Sequence, residues 1–170
     1  MITTEQARGW FTGRLPEEWK VEAPEVTVDR DEITVILTID DVDVADDASE
    51  AERDEARAGR VRAFREDTRE RRIEVAREAE RRYERKVSWG VKVGDYGEMF
   101  THLAAPVMTR LRQPQRQVLD TLVDAGVARS RADALAWCVR LVGQHEDDWL
   151  AELRTAMESV ADVRAKGPAA

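Results

Sequence analysis

A chain of 170 residues with 42% hydrophobic and 36% charged side chains can bury one core of ordinary size while leaving much of its length facing water. Its net charge of −8 argues against nucleic-acid binding by the surface as a whole, and its single cysteine, Cys138, excludes an intramolecular disulfide. The charge is uneven: residues 1–50 carry −10, 51–99 carry +2, 100–144 carry +3 and 145–170 carry −3.

Residues 1–24 read as irregular, dotted with Trp10, Phe11 and Trp19. In PEVTVDRDEITVILTID, Val26 and Val28 alternate before a charged turn, and Ile33, Val35, Leu37 and Ile39 alternate after it, which predicts a hairpin. A lone hairpin is marginal in water, and KVSWGVKV at 86–93 offers a third strand through Val87, Trp89, Val91 and Val93. Between them, Ser49 to about Arg85 predicts one long charged helix, opened by Ser49 and Glu52 at capping-box spacing. Its apolar stripe is thin (Val61, Phe64, Val75, Ala79, Tyr83) and Arg72 interrupts it. A solvated helix braced by Glu–Arg pairs is the plain reading, and a helix packed along its own copy the sharper one.

The texture changes after GDYGEMFTHLAA. PVMTRLRQ is β-compatible, and Pro114 suits the start of a helix whose apolar face is Val118, Leu119, Leu122 and Val123. Gly126 is placed to stop it. Ser130, with Asp133 three residues on, caps a second helix with Leu135, Cys138, Val139 and Val142 on its apolar face. A last amphipathic helix from about His145 carries Trp149, Leu150, Leu153, Met157 and Val160, and RAKGPAA reads as frayed. The expected class is α+β. Residues 1–99 form a small antiparallel β segment with the long charged helix; residues 100–170 form a short strand, two helices and the final helix.

The stretch MTRLRQPQRQVLDTLVDAGVARSRADALAWCV resembles the ribbon-helix-helix family of DNA-binding proteins over residues 107–142. The resemblance implies an obligate homodimer in which two short strands pair into an antiparallel ribbon that enters the major groove. Met108, Arg110 and Arg112 would then form the base-reading face, arginine being suited to guanine O6 and N7. Arg129, Ser130 and Arg131 would hold backbone phosphate at the start of the second helix. Val107, Thr109, Leu111, Leu119, Leu122, Leu135 and Val139 would form the dimer core, with Trp137 and Cys138 core or interface residues.

Other chemistry finds no footing. The acidic run DDVDVADDASE from Asp41 has Ala45 and Asp46 where a calcium loop needs a ligand and a glycine. His102 and His145 lie apart with one cysteine between them in composition, which makes no zinc set. Nucleophile-elbow, phosphate-loop and dinucleotide glycine patterns are missing, so no metal, no cofactor and no enzymatic activity are expected. No apolar run approaches the roughly 18 residues of a membrane span, and MITTEQARGWF lacks the charge and apolar pattern of a secretory signal. A cytoplasmic protein free of the membrane is expected. It is expected to bind double-stranded DNA as a homodimeric regulator, with the acidic front open to a protein partner. The alternative is a structural or protein-interaction role in which the same unit only dimerises.

Overall fold

Thr3 opens the first ordered element, and the computed structural model describes residues 2–19 and 21–166. The Thr3 hydroxyl accepts from the Gln6 N–H at 3.2 Å while the Gln6 side chain accepts from the Thr3 N–H at 3.1 Å, the reciprocal cap that starts α1, Thr4–Arg14. The described part of residues 1–24 is therefore not irregular. Gly9 and Gly13 weaken the helix intrinsically, but Ala7 and Phe11, one turn apart, are buried and continue inward through Leu15 and Trp19. Burial of that face outweighs the glycines.

The sheet has four strands in the order β1-β2-β3-β4: Glu25–Val28, Glu32–Thr38, Lys86–Val93 and Tyr96–Met99. Asp29 shapes the β1–β2 turn, its carboxylate accepting from the N–H groups of Asp31 and Glu32, each at 2.8 Å. The expected hairpin pairs antiparallel, with Val26 opposite Val35. The third strand does not extend an antiparallel sheet. β3 runs parallel to β2, setting Ile33 beside Val87, Val35 beside Trp89 and Leu37 beside Val91. Parallel neighbours need a long crossover, and the charged helical segment supplies it. Gly94, at φ 55, turns β3 into the unforeseen strand β4.

That crossover is two helices rather than one, α2 (Glu50–Asp67) and α3 (Arg69–Tyr83). Thr68 separates them, its hydroxyl donating back to the Phe64 carbonyl at 2.6 Å, an interaction that bends helices. Neither a helix bathed in water nor one paired with its copy along the stripe describes it. Val61, Val75 and Ala79 are buried in one core with Phe11, Ile33, Val35, Leu37, Trp89, Val91 and Val93. Phe11 sits edge-on to Trp10 and Trp89 at centroid separations of 4.8 and 5.9 Å. Surface pairs brace the unit: Arg14 grips Glu78 at 2.6 and 2.7 Å, and Arg57 grips Asp41 at 2.7 and 3.0 Å.

The chain divides into two compact units, 1–106 and 107–170. The second unit holds α4 (Gln113–Asp124), α5 (Arg131–His145) and α6 (Asp147–Lys166). Its buried core is small, Leu119, Ala128 and Ala134, flanked by the half-buried Leu111, Leu122, Val123, Leu135 and Cys138. Residues 101–112 have no regular secondary structure. The short strand expected near 107–112 is not formed: a strand needs a hydrogen-bonded neighbour, and none of β1–β4 pairs with this segment. Of the ending expected to fray, 164–166 belong to α6, and 167–170 lie outside the described residues. Among the described residues, no helix is long and apolar enough to cross a membrane, and no three His, Cys, Asp or Glu side chains group closely enough to hold a metal ion.

Candidate nucleic-acid interface

The pair of helices α4 and α5 that forms the core of the second unit follows local chemistry. Pro114 lies in the first turn of α4, where its missing N–H has no intrahelical partner to lose. Gly126 takes the left-handed conformation, φ 74, and the N–H groups of Val127 and Ala128 both donate to the Leu122 carbonyl, at 2.9 and 3.2 Å. The chain thereby reverses and satisfies the end of α4. Ser130 then caps α5, its hydroxyl accepting from the Asp133 N–H at 3.2 Å.

The segment entering α4 is almost bare. Val107 is 87% exposed and Met108 96%, and Thr109, Arg110 and Arg112 are exposed as well. Neither Arg110 nor Arg112 has a carboxylate partner among the described residues, so both guanidinium groups face water. Leu111 is half-buried against the small core, and Arg116 donates from Nη1 to the Leu111 carbonyl at 2.6 Å, tying the end of the segment to α4. The Arg112 N–H donates to the Gln115 side chain at 2.9 Å.

The two arginines around Ser130 differ. Arg131 is held by Asp120, Nε to Oδ1 at 2.6 Å and Nη2 to Oδ2 at 2.8 Å, a fork-on-carboxylate geometry. Those hydrogen bonds keep the Asp120 carboxyl below its ordinary range and raise the Arg131 guanidinium above its own. Arg129 is 95% exposed, with its Nε 3.7 Å from Asp133. The Asp133 carboxylate accepts from the Arg129 N–H at 3.0 Å, so it already sits at the positive end of α5, and that backbone hydrogen bond keeps its pKa low. Of the three residues expected at phosphate, Arg129 is exposed and only loosely paired with Asp133, Ser130 is occupied as a cap and Arg131 is firmly paired. Asp133 was legible as part of the cap. The Asp120–Arg131 pair was not, because it depends on how α4 and α5 pack.

The residues expected in a dimer core also separate. Leu119 is buried within its own unit, and Leu122 and Leu135 are half-buried there, whereas Val107 and Val139 are exposed. Exposure extends further than the sequence led one to expect: Val118, Val127, Leu141 and Val142 are open, and α6 has no buried residue while carrying Trp149, Leu153, Met157, Val160 and Val163. Trp137 and Cys138 are half-buried.

Comparison with known proteins gives the family. A domain family described as "Rv1265-like protein, N-terminal domain" matches residues 5–99, and one described as "Mb1296 C-terminal domain" matches residues 112–164. The chain is 59% identical over 162 residues to the uncharacterised proteins Mb1296 of Mycobacterium bovis and Rv1265 of Mycobacterium tuberculosis, covering 95% of this chain and 70% of each relative. The chain belongs to the Rv1265-like family. No solved structure matches it. In this Rv1265-like chain the family boundaries agree with the physical division near residue 106. Met108 and Arg110 fall in the interval between the two matches, and Arg112 is the first residue of the second.

Proposed function

We propose that the chain is a homodimeric DNA-binding protein of the transcription-regulator type, in which residues 107–112 of two copies pair into a ribbon that enters the major groove. The observation that carries this reading is the bare segment itself. Val107 and Met108 are 87% and 96% exposed, beside Arg110 and Arg112 without carboxylate partners, on a unit with only three buried residues among those described. Apolar groups left open on so small a core favour association, and a second copy supplies the strand edge that the first lacks. Alternation then sets Val107, Thr109 and Leu111 toward the partner and Met108, Arg110 and Arg112 toward bases. Arg129 is the phosphate contact at hand, and Arg131 joins it only by leaving Asp120. Such a protein works in the cytoplasm, acts by binding rather than catalysis, and calls on no cofactor.

A second reading is favoured by a specific arrangement: Asp120 and Asp133 place two carboxylates beside Arg129–Arg131, the turn assigned to phosphate in the first reading. In that reading the unit only dimerises, and the front of the chain, at −10 over residues 1–50, meets a protein partner.

The test is binding of the full chain to random duplex DNA at low salt, together with selection of preferred sequences. DNA-binding predicts affinity that falls steeply with salt, and the paired change Arg110→Ala and Arg112→Ala abolishes sequence preference while leaving non-specific binding. A dimer that ignores duplex DNA at low salt refutes the DNA reading and leaves the interaction role.

A further inference from the structure

Three arginines of the first unit, Arg65, Arg69 and Arg72, line a cavity of about 250 Å³ whose apolar wall includes Val87, Trp89 and Phe100. Cations this close repel, and proteins normally place carboxylates among them. Here the only carboxylate within ion-pair distance among the described residues is Glu98, 3.6 Å from Arg65. Arg69 has none. Arg72 is only 7% exposed, yet its hydrogen bonds go to neutral oxygens, from Nε to the Thr68 hydroxyl at 3.0 Å and from Nη2 to the Arg65 carbonyl at 2.7 Å. A charge buried to that degree is ordinarily matched by an opposite one. Burial first, then the like charges of Arg65 and Arg69, push the Arg72 guanidinium down to about 10, so the site is short of negative charge.

The aromatic side is equally specific. The Arg72 guanidinium lies 4.8 Å from the centre of the Phe100 ring and that of Arg65 5.6 Å from the same ring, cation–π distances. Trp89 and Val87 are buried at the same wall. A bracing role for Arg72 across the α2–α3 break accounts for its two hydrogen bonds. It leaves unexplained why Arg65 and Arg69 converge on the same apolar space.

We propose that this cavity binds a small anion attached to one planar apolar group, an aryl carboxylate or aryl phosphate, with the guanidinium groups on the acid and the Trp89–Phe100 wall against the ring. The volume sets the size class: about 250 Å³ lies just under the roughly 300 Å³ at which drug-sized pockets begin, enough for a single ring and its acid group. This site stands apart from the nucleic-acid reading and does not depend on it.

The experiment is calorimetric titration of the full chain with phenylacetate, phenyl phosphate, benzyl alcohol and inorganic phosphate. At least one aryl anion binds once per chain, and benzyl alcohol and inorganic phosphate each bind about tenfold or more weakly, since each lacks half of the match. The tighter of the two aryl anions distinguishes carboxylate from phosphate. Arg69→Gln, an exposed and unpaired position that leaves the fold intact, weakens binding by about tenfold, and Arg72→Met weakens it further. If Arg72→Met fails to fold, Arg69→Gln decides alone. No binding of either aryl anion, benzyl alcohol binding as tightly as phenylacetate, or Arg69→Gln binding like the parent would each overturn the proposal.

Discussion

Replacing Val107 with aspartate tests the proposed dimer through a residue that contributes almost nothing to the single chain. Val107 is 87% exposed and takes no part in the small core of its own unit, so the single chain should keep its helical content by circular dichroism. In a symmetric ribbon each valine is covered by the partner, and full burial of a valine side chain contributes about 1.5–3 kcal/mol. Two copies per dimer make that roughly 3–6 kcal/mol, since a two-fold interface uses each residue twice. At about 1.4 kcal/mol per factor of ten, loss of both contacts raises the dimer dissociation constant by roughly a hundred- to ten-thousand-fold. Burying the new carboxylates adds to this as a further cost. Sedimentation equilibrium over a dilution series reads the constant directly, with Val107→Ile as the variant that keeps the dimer. A Val107→Asp protein that dissociates as the parent does, or a parent that is monomeric throughout, refutes the ribbon.

Other consequences follow from particular contacts. On the proposed DNA-binding reading, Arg129→Ala should weaken binding to all duplexes alike and lower the magnitude of the logarithmic salt slope by about 1. Arg131→Ala leaves that slope unchanged because Asp120 already holds the guanidinium; a drop of about 1 there would mean that the pair opens on DNA. The Asp41 carboxyl, hydrogen-bonded by Arg57 and then by the Val42 N–H, is lowered from 3.8 to about 2. A depressed carboxyl stabilises fully above its unfolded pKa and loses that contribution as pH falls through the folded value. Asp41→Asn should therefore flatten the fall in urea midpoint between pH 3.8 and about 2, and an unchanged acid limb counts against the pair. Phe11→Ala removes a fully buried ring touching Trp10 and Trp89 and should cost about 3–5 kcal/mol in urea unfolding. A loss no greater than the roughly 0.5 kcal/mol of a surface change would contradict the assigned core.

What could be read from the chain without coordinates was whatever is satisfied nearby. Ser130, Asp133, Gly126 and Pro114 act on backbone groups within a few residues, so the α4–turn–α5 unit was legible to within a residue or two. Alternation in 33–39 told which side chains share a face, because the strand period is two. It did not say which strand lies alongside, and the parallel pairing of β2 with β3 was decided by where α2 and α3 could cover the sheet. α1 escaped because Gly9 and Gly13 lower its local preference, while the packing that sustains it joins Phe11 to Trp89, far along the chain. Arg72 was visible as a break in an apolar stripe. Only the packing of α3 against β3, with Phe100 under the guanidinium, shows that the break puts a buried charge on a cavity wall. Local hydrogen bonding and residue period belong to the sequence, while partners separated along the chain are chosen by how the elements jointly exclude water.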